Sequence, residues 1–137
     1  MAVLTLGKLE AATLAQHAAA IVAKLDDSDW YVRHAAVETL GKLEAATLAQ
    51  HAGAIVAKLD DSESKVRHAA VDTLGMLEAA TLAQHAAAIV AKLDDSNPYV
   101  RRAAVETLGK LEVAGRLTYD HSARVKVASG GVGGLDA

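Results

Sequence analysis

Slid against itself, the chain comes back into register every 34 residues: Gly7, Gly41, Gly75 and Gly109 coincide, as do Leu6, Leu40, Leu74 and Leu108. Three full units follow, residues 8–41, 42–75 and 76–109, and 27 of their 34 columns are identical. Residues 1–7 read as the tail of a preceding unit, a half repeat, and residues 110–112 as the start of a later one. A unit this short cannot close a core of its own. It must bury its apolar face against its neighbours, which makes the array a solenoid.

Each unit contains two helical patterns. In the first, helix A, Leu14, Ala18, Ile21, Val22 and Leu25 fall on one stripe, with Gln16, His17 and Lys24 elsewhere on the wheel. Thr13 and Gln16 stand in a capping-box relation that starts helix A near Thr13, while the Glu-Ala-Ala before it can also be helical, which leaves that boundary open by a turn. The second, helix B, is expected from about Trp30 to Leu43, with Val32, Ala36, Leu40 and Leu43 inward and the small Ala35 and Gly41 beside them. Asp-Asp-Ser separates the two, because these side chains compete for backbone hydrogen bonds and favour caps over helix interiors. Pro98, the chain's one proline, falls at the start of the third helix B, where a missing N–H does no harm. The chain is 52% hydrophobic yet has no Phe, one Trp and three Tyr. The apolar share is mostly Ala, Leu and Val, and Ala and Leu favour helix strongly.

The 34-residue helical hairpin lacks the aromatic signature of tetratricopeptide repeats and the Thr-Pro-Leu-His of ankyrin repeats. Its second half reads "DDSDWYVRHAAVETLG", "DDSESKVRHAAVDTLG" and "DDSNPYVRRAAVETLG". An Asp-rich turn, Val-Arg one turn into helix B, then Ala-Ala and Leu-Gly resemble the HEAT-like repeat family, in the short form first noted in phycobilisome lyases. The resemblance covers residues 1 to about 112. It implies an all-α fold, an α-solenoid of antiparallel hairpins wound as a right-handed superhelix of the armadillo type. It also implies a ladder along the stack from Asp26, Asp27 and Arg33 and their equivalents at 60, 61 and 67 and at 94, 95 and 101, and a concave surface lined by the B helices.

Only seven columns differ among the units, and six of them lie on or at the entrance to helix B, at 29, 30, 31, 34, 38 and 42 and their partners one and two periods on. Positions 31, 34, 38 and 42 are spaced by three, four and four, so they share one ridge. That ridge carries Tyr31, His34, Glu38 and Lys42; then Lys65, His68, Asp72 and Met76; then Tyr99, Arg102, Glu106 and Lys110, with Trp30 and its counterpart Ser64 at one edge. Drift of solvent-facing positions would touch both faces of the hairpin. Yet Thr13, Gln16, His17 and Lys24 repeat unchanged, and only Ala19/Gly53/Ala87 varies on helix A. The ridge is therefore expected to be a protein-binding surface, with Trp, Tyr and Arg, the types enriched in interface hot spots, as anchors.

Catalytic readings fare worse. Deoxyhypusine hydroxylase, a HEAT-like protein, holds two irons with adjacent His-Glu pairs, but here Ala35 and Ala69 follow His34 and His68, and Arg102 replaces the third His. His34 with Glu38 and His68 with Asp72 are i,i+4 pairs read as surface hydrogen bonds or ion pairs, and His17, His51 and His85 as polar positions copied with the unit. A phosphate loop, a His-Glu-x-x-His and a nucleophile elbow are all missing, and no cofactor is expected. The alternatives left open are a bilin lyase, on family resemblance alone, and a metal-dependent hydroxylase.

A net charge of −3 disfavours nucleic acid as a partner, and the absence of Cys removes thiolate chemistry and fits a cytoplasmic setting. No apolar run approaches the ~20 residues of a membrane span. From Val113 the period is lost, and residues 113–137, with five of the ten Gly, read as a tail outside the array 1–112. Both ends of the stack are expected to expose apolar surface, so the chain is read as part of a longer array or as one that associates end to end.

Overall fold

The computed structural model describes residues 13–116. The half repeat at 1–7 and all but the first four residues of the tail 113–137 lie outside those residues. Within them all the regular structure is helical. Residues 13–16 are helical, followed by α1 (Ala18–Ala23), α2 (Trp30–Leu40), α3 (Ala45–Ala49), α4 (Ala52–Ala57), α5 (Ser64–Leu74), α6 (Ala79–Ala83), α7 (Ala86–Ala91) and α8 (Pro98–Val113). A single 3₁₀ turn follows α1, α4 and α7, at Lys24–Asp26, Lys58–Asp60 and Lys92–Asp94.

The A helix is two helices, not the single one expected. In the second and third repeats the break falls at His51 and His85, whose φ and ψ of −112° and 7°, and −113° and 12°, lie outside the helical region. Around the break the amides tighten to i→i−3 bonds: Gln50 donates to Thr47 and His51 to Leu48, at 3.1 and 2.9 Å. Neither Pro nor Gly stands there, so the bend is imposed by packing rather than by a local breaker. It lets both halves reach the core, with Leu48, Ile55 and Leu59 at 0, 0 and 2% exposure. Each such side chain contributes roughly 1.5–3 kcal/mol when fully buried.

The capping box also gives way. The N-caps of α3 and α6 are Glu44 and Glu78, in extended conformation, while Thr47 and Thr81 sit inside the helices and Gln50 and Gln84 close them. Helix A therefore begins a turn earlier than the Thr-x-x-Gln spacing implies, at the Ala-Ala that is the other candidate start.

The B helices start at Trp30, Ser64 and Pro98, with Pro98 in the first turn of α8 as its missing N–H allows. They pack side by side, α2 on α5 and α5 on α8, and each A helix backs its own B helix. The inward face is fully buried in the interior repeats: Val66, Ala70, Val71 and Leu74 are all at 0% exposure. Contact is close because small residues meet there. A Cβ on Gly41 would lie 3.4 Å from both Met76 Sδ and Thr73 Oγ1, and one on Gly75 3.2 Å from Lys110 Nζ and 3.3 Å from Thr107 Oγ1.

The expected span to Leu43 is not met by α2 or α5, which stop at Leu40 and Leu74 and turn, though Leu43 and Leu77 remain buried. By contrast α8 runs on to Val113 and ends at Gly115, whose φ of 69° suits glycine. There the Gly115 amide donates to the Glu112 carbonyl and the Arg116 amide to the Leu111 carbonyl, a Schellman closure.

Candidate interaction surface

The ridge is built upward from the caps of the B helices. Asp29 accepts the Tyr31 amide at 2.8 Å, and Asn97 accepts those of Tyr99 and Val100 at 2.8 and 3.3 Å. Glu63, in the same place, makes no side-chain cap, its extra methylene carrying the carboxylate past the amides. The variable column at 29, 63 and 97 is thus a capping position, and part of its variation is variation in cap quality.

Rungs hold neighbouring B helices in register. Arg33 grips Asp61 with two bonds, Nε to Oδ1 at 2.8 Å and Nη2 to Oδ2 at 3.1 Å, and Arg67 grips Asp95 at 2.9 and 3.1 Å. The third nitrogen, Nη1, of each Arg turns back to the carbonyls of its own turn, Asp27 and Ser28 for Arg33, Asp61 and Ser62 for Arg67. Burial alone would raise the Asp61 carboxyl. The Arg33 fork, the Glu63 amide and the charges of Arg33 and Lys58 outweigh it and hold the group below the usual carboxylate range. Asp95 is lowered in the same way by Arg67, the Asn97 amide and Lys92. The forks are made by the second Asp of each turn.

The first Asp pairs differently, in a way the sequence reading missed. Lys58 Nζ reaches Asp26 at 3.0 Å and Lys92 Nζ reaches Asp60 at 2.9 Å, each across to the preceding repeat. Their constancy along the repeats was the available signal. It also changes the comparison between the two faces: the equivalents of Lys24 are tied down, and Thr47 and His51 are half-buried, so part of the constancy of helix A is structural.

On the ridge itself, the Trp30 ring meets Tyr31 edge-on at 5.8 Å and His34 at 6.3 Å, and Lys65 Nζ of the next repeat stands 5.2 Å from its centroid. Trp30, Tyr31, His34 and Lys65 therefore form one cluster across two repeats, in which the cation–π contact orients the lysine. Tyr31 and Tyr99 remain 65 and 68% exposed and Met76 55%. Ser64, the counterpart of Trp30, begins α5 half-buried.

Further along the helices a row of bases faces a row of acids within each repeat. His34 Nδ1 lies 3.4 Å from Glu38, His68 Nε2 lies 3.6 Å from Asp72, and Arg102 Nε donates to Glu106 at 3.3 Å. Beyond them Lys42 and Met76 sit in turns and Lys110 within α8, where its Nζ donates to the Gly75 carbonyl at 3.1 Å. Among the described residues no three His, Cys, Asp or Glu side chains are grouped to hold a metal, and no helix is long and apolar enough to cross a membrane.

Hairpins stacked in register, joined by Arg–Asp rungs, define a helical repeat array. Family profiles described as HEAT repeats and HEAT repeat match residues 52–121 and 19–44. The chain belongs to the HEAT repeat family, an α-solenoid class whose members commonly serve as protein-interaction scaffolds. No curated protein matches it.

Proposed function

We propose that the chain is a non-catalytic scaffold that binds a protein partner along the ridge of its B helices, the concave side of the array. One observation carries this reading. Among the described residues the exposed large hydrophobics are Tyr31, Met76, Tyr99 and Val113, and the first three lie on the ridge. Aromatic side chains held rigid at a helix surface give large contact area at low entropic cost, which is how hot spots arise.

Trp30, Tyr31 and Tyr99 are the anchors, and Lys65 offers a cation beside them. His34, His68 and Arg102 stand against Glu38, Asp72 and Glu106, so the central row presents paired polar groups and sets register more than affinity. Lys42, Met76 and Lys110 close the far edge. Substituting Tyr31, Lys65 and Tyr99 together by Ala tests the reading. Proteins cross-linked to the wild-type chain should be lost while the helical circular dichroism stays unchanged, and undiminished capture by the variant would place the site elsewhere.

A further inference from the structure

Among the described residues, the first repeat leaves open a face that the later repeats bury. Ile55, Val66, Ala69 and Thr73 are 0, 0, 6 and 3% exposed. Their counterparts Ile21, Val32 and Thr39 are only half-buried and Ala35 is exposed, and together they line an open apolar groove of ≈ 360 Å³. In the interior that face receives the preceding B helix. At the edge of the same repeat stands Asp27, which accepts the Asp29 amide at 2.9 Å. Among the described residues its carboxylate holds no guanidinium fork, Arg33 reaching only its backbone carbonyl, whereas the Asp61 and Asp95 carboxylates each hold one.

The other end of the stack has the complementary features. Val37 and Val71 are 0% exposed beneath the next repeat, but Val105 is half-buried. Gly41 and Gly75 are pressed by residues of the next repeat, while a Cβ on Gly109 would meet nothing within 4 Å. Arg101 gives Nη1 to the carbonyls of Asp95 and Ser96 as Arg33 and Arg67 do in their own turns. Among the described residues its Nε and Nη2 meet no carboxylate.

We propose that the two ends fit each other: the C-terminal face of one copy docks in the N-terminal groove of a second copy, and Arg101 grips Asp27 of that copy as Arg33 grips Asp61. The occupant follows from the repeat. The groove takes a B helix with Val and Gly on its forward face and an Arg one turn in, and α8 carries Val105, Gly109 and Arg101 at those positions. The contact is head-to-tail, so it repeats without closing and builds a linear assembly of one continuous solenoid.

Sedimentation velocity of the full chain over about 1–100 µM reads this directly, a range matched to micromolar affinity. The average mass of the wild type should rise with concentration. Asp27→Arg sets two guanidinium groups face to face, and Arg101→Asp two carboxylates. Each alone should weaken association by at least about tenfold. An equimolar mixture of the two variants should regain it, since each end then meets its opposite charge. Ala35→Arg, at an exposed position that folding does not require, places a charged side chain in the groove and should abolish assembly. A wild type that stays monomeric across the range, as when residues 1–7 of the same chain fill the groove, overturns the proposal. So does wild-type association by Ala35→Arg or by either charge variant alone, or a mixture that stays monomeric while each variant keeps its helical circular dichroism.

Discussion

Removing the Asp61 carboxylate should loosen the joint between the first two repeats. Its side chain is only 6% exposed and accepts three hydrogen bonds, two from the Arg33 fork and one from the Glu63 amide. At about 1 kcal/mol net per bond, Asp61→Ala is expected to cost about 3 kcal/mol. Asp61→Asn can keep the oxygen that serves Arg33 Nη2 and the Glu63 amide, but turns an NH₂ toward Arg33 Nε. It should cost about 1–2 kcal/mol. Urea melts followed by circular dichroism at pH 7 measure both. Repeat arrays lose cooperativity when an interface weakens, so the Ala variant should also show a broader transition. The acid limb supplies an independent check. Because the folded carboxyl titrates below its unfolded value, its stabilisation is complete above the ordinary Asp range. It is lost as pH falls through the depressed folded value. The gap between wild type and Asp61→Ala should therefore close at acid pH. An Ala variant within about 0.5 kcal/mol of wild type at pH 7, the scatter typical of surface changes, would refute the rung as a source of stability.

Other expected outcomes bear on the caps, the glycines and the ridge edge. Glu63→Asn restores the cap that Asn97 provides in α8 and should stabilise the chain by about 0.5–1 kcal/mol in thermal melts. Gly53→Ala should gain a similar 0.5–1 kcal/mol, since a Cβ there meets nothing within 4 Å and the neighbouring repeats carry Ala. Gly75→Ala should instead lose stability by disturbing the packing of α5 against α8, read as a lowered melting temperature, because its Cβ would crowd Lys110 Nζ at 3.2 Å and Thr107 Oγ1 at 3.3 Å. Met76→Lys should add about 0.5 kcal/mol by donating to the Gly41 carbonyl as Lys110 does to Gly75.

Much of the architecture is legible in the chain itself. The period needs only identical residues at equal spacing, and the B helices announce themselves through the Asp-Asp-Ser break, Pro98 and the inward run of Val, Ala and Leu. The shared ridge of Tyr31, His34 and Glu38 follows from spacing alone, because a helix puts residues three and four apart on one face. The Arg33–Asp61 rung was suggested only by family resemblance, since nothing in a sequence says which repeat an Arg reaches. The Lys58–Asp26 pair is of the same kind, a contact between residues 32 apart.

What tertiary structure alone decided is clearest where one tetrapeptide takes two forms. Gly-Lys-Leu-Glu is a turn at residues 41–44 and part of a helix at 109–112. Local propensity is the same in both, so it cannot choose. In the first case the following Ala-Ala-Thr-Leu-Ala must fold back to put Leu48 into the core, and Glu44 goes extended to cap it. In the second, Val113 and Gly115 follow, the helix continues, and it stops where glycine can turn left-handed. The sequence by itself determines that helices form and how often they recur, because those depend on residues a few positions apart. Where each helix bends, ends and joins its neighbour depends on burial against repeats more than thirty residues away, and that free energy exists only once the stack is assembled.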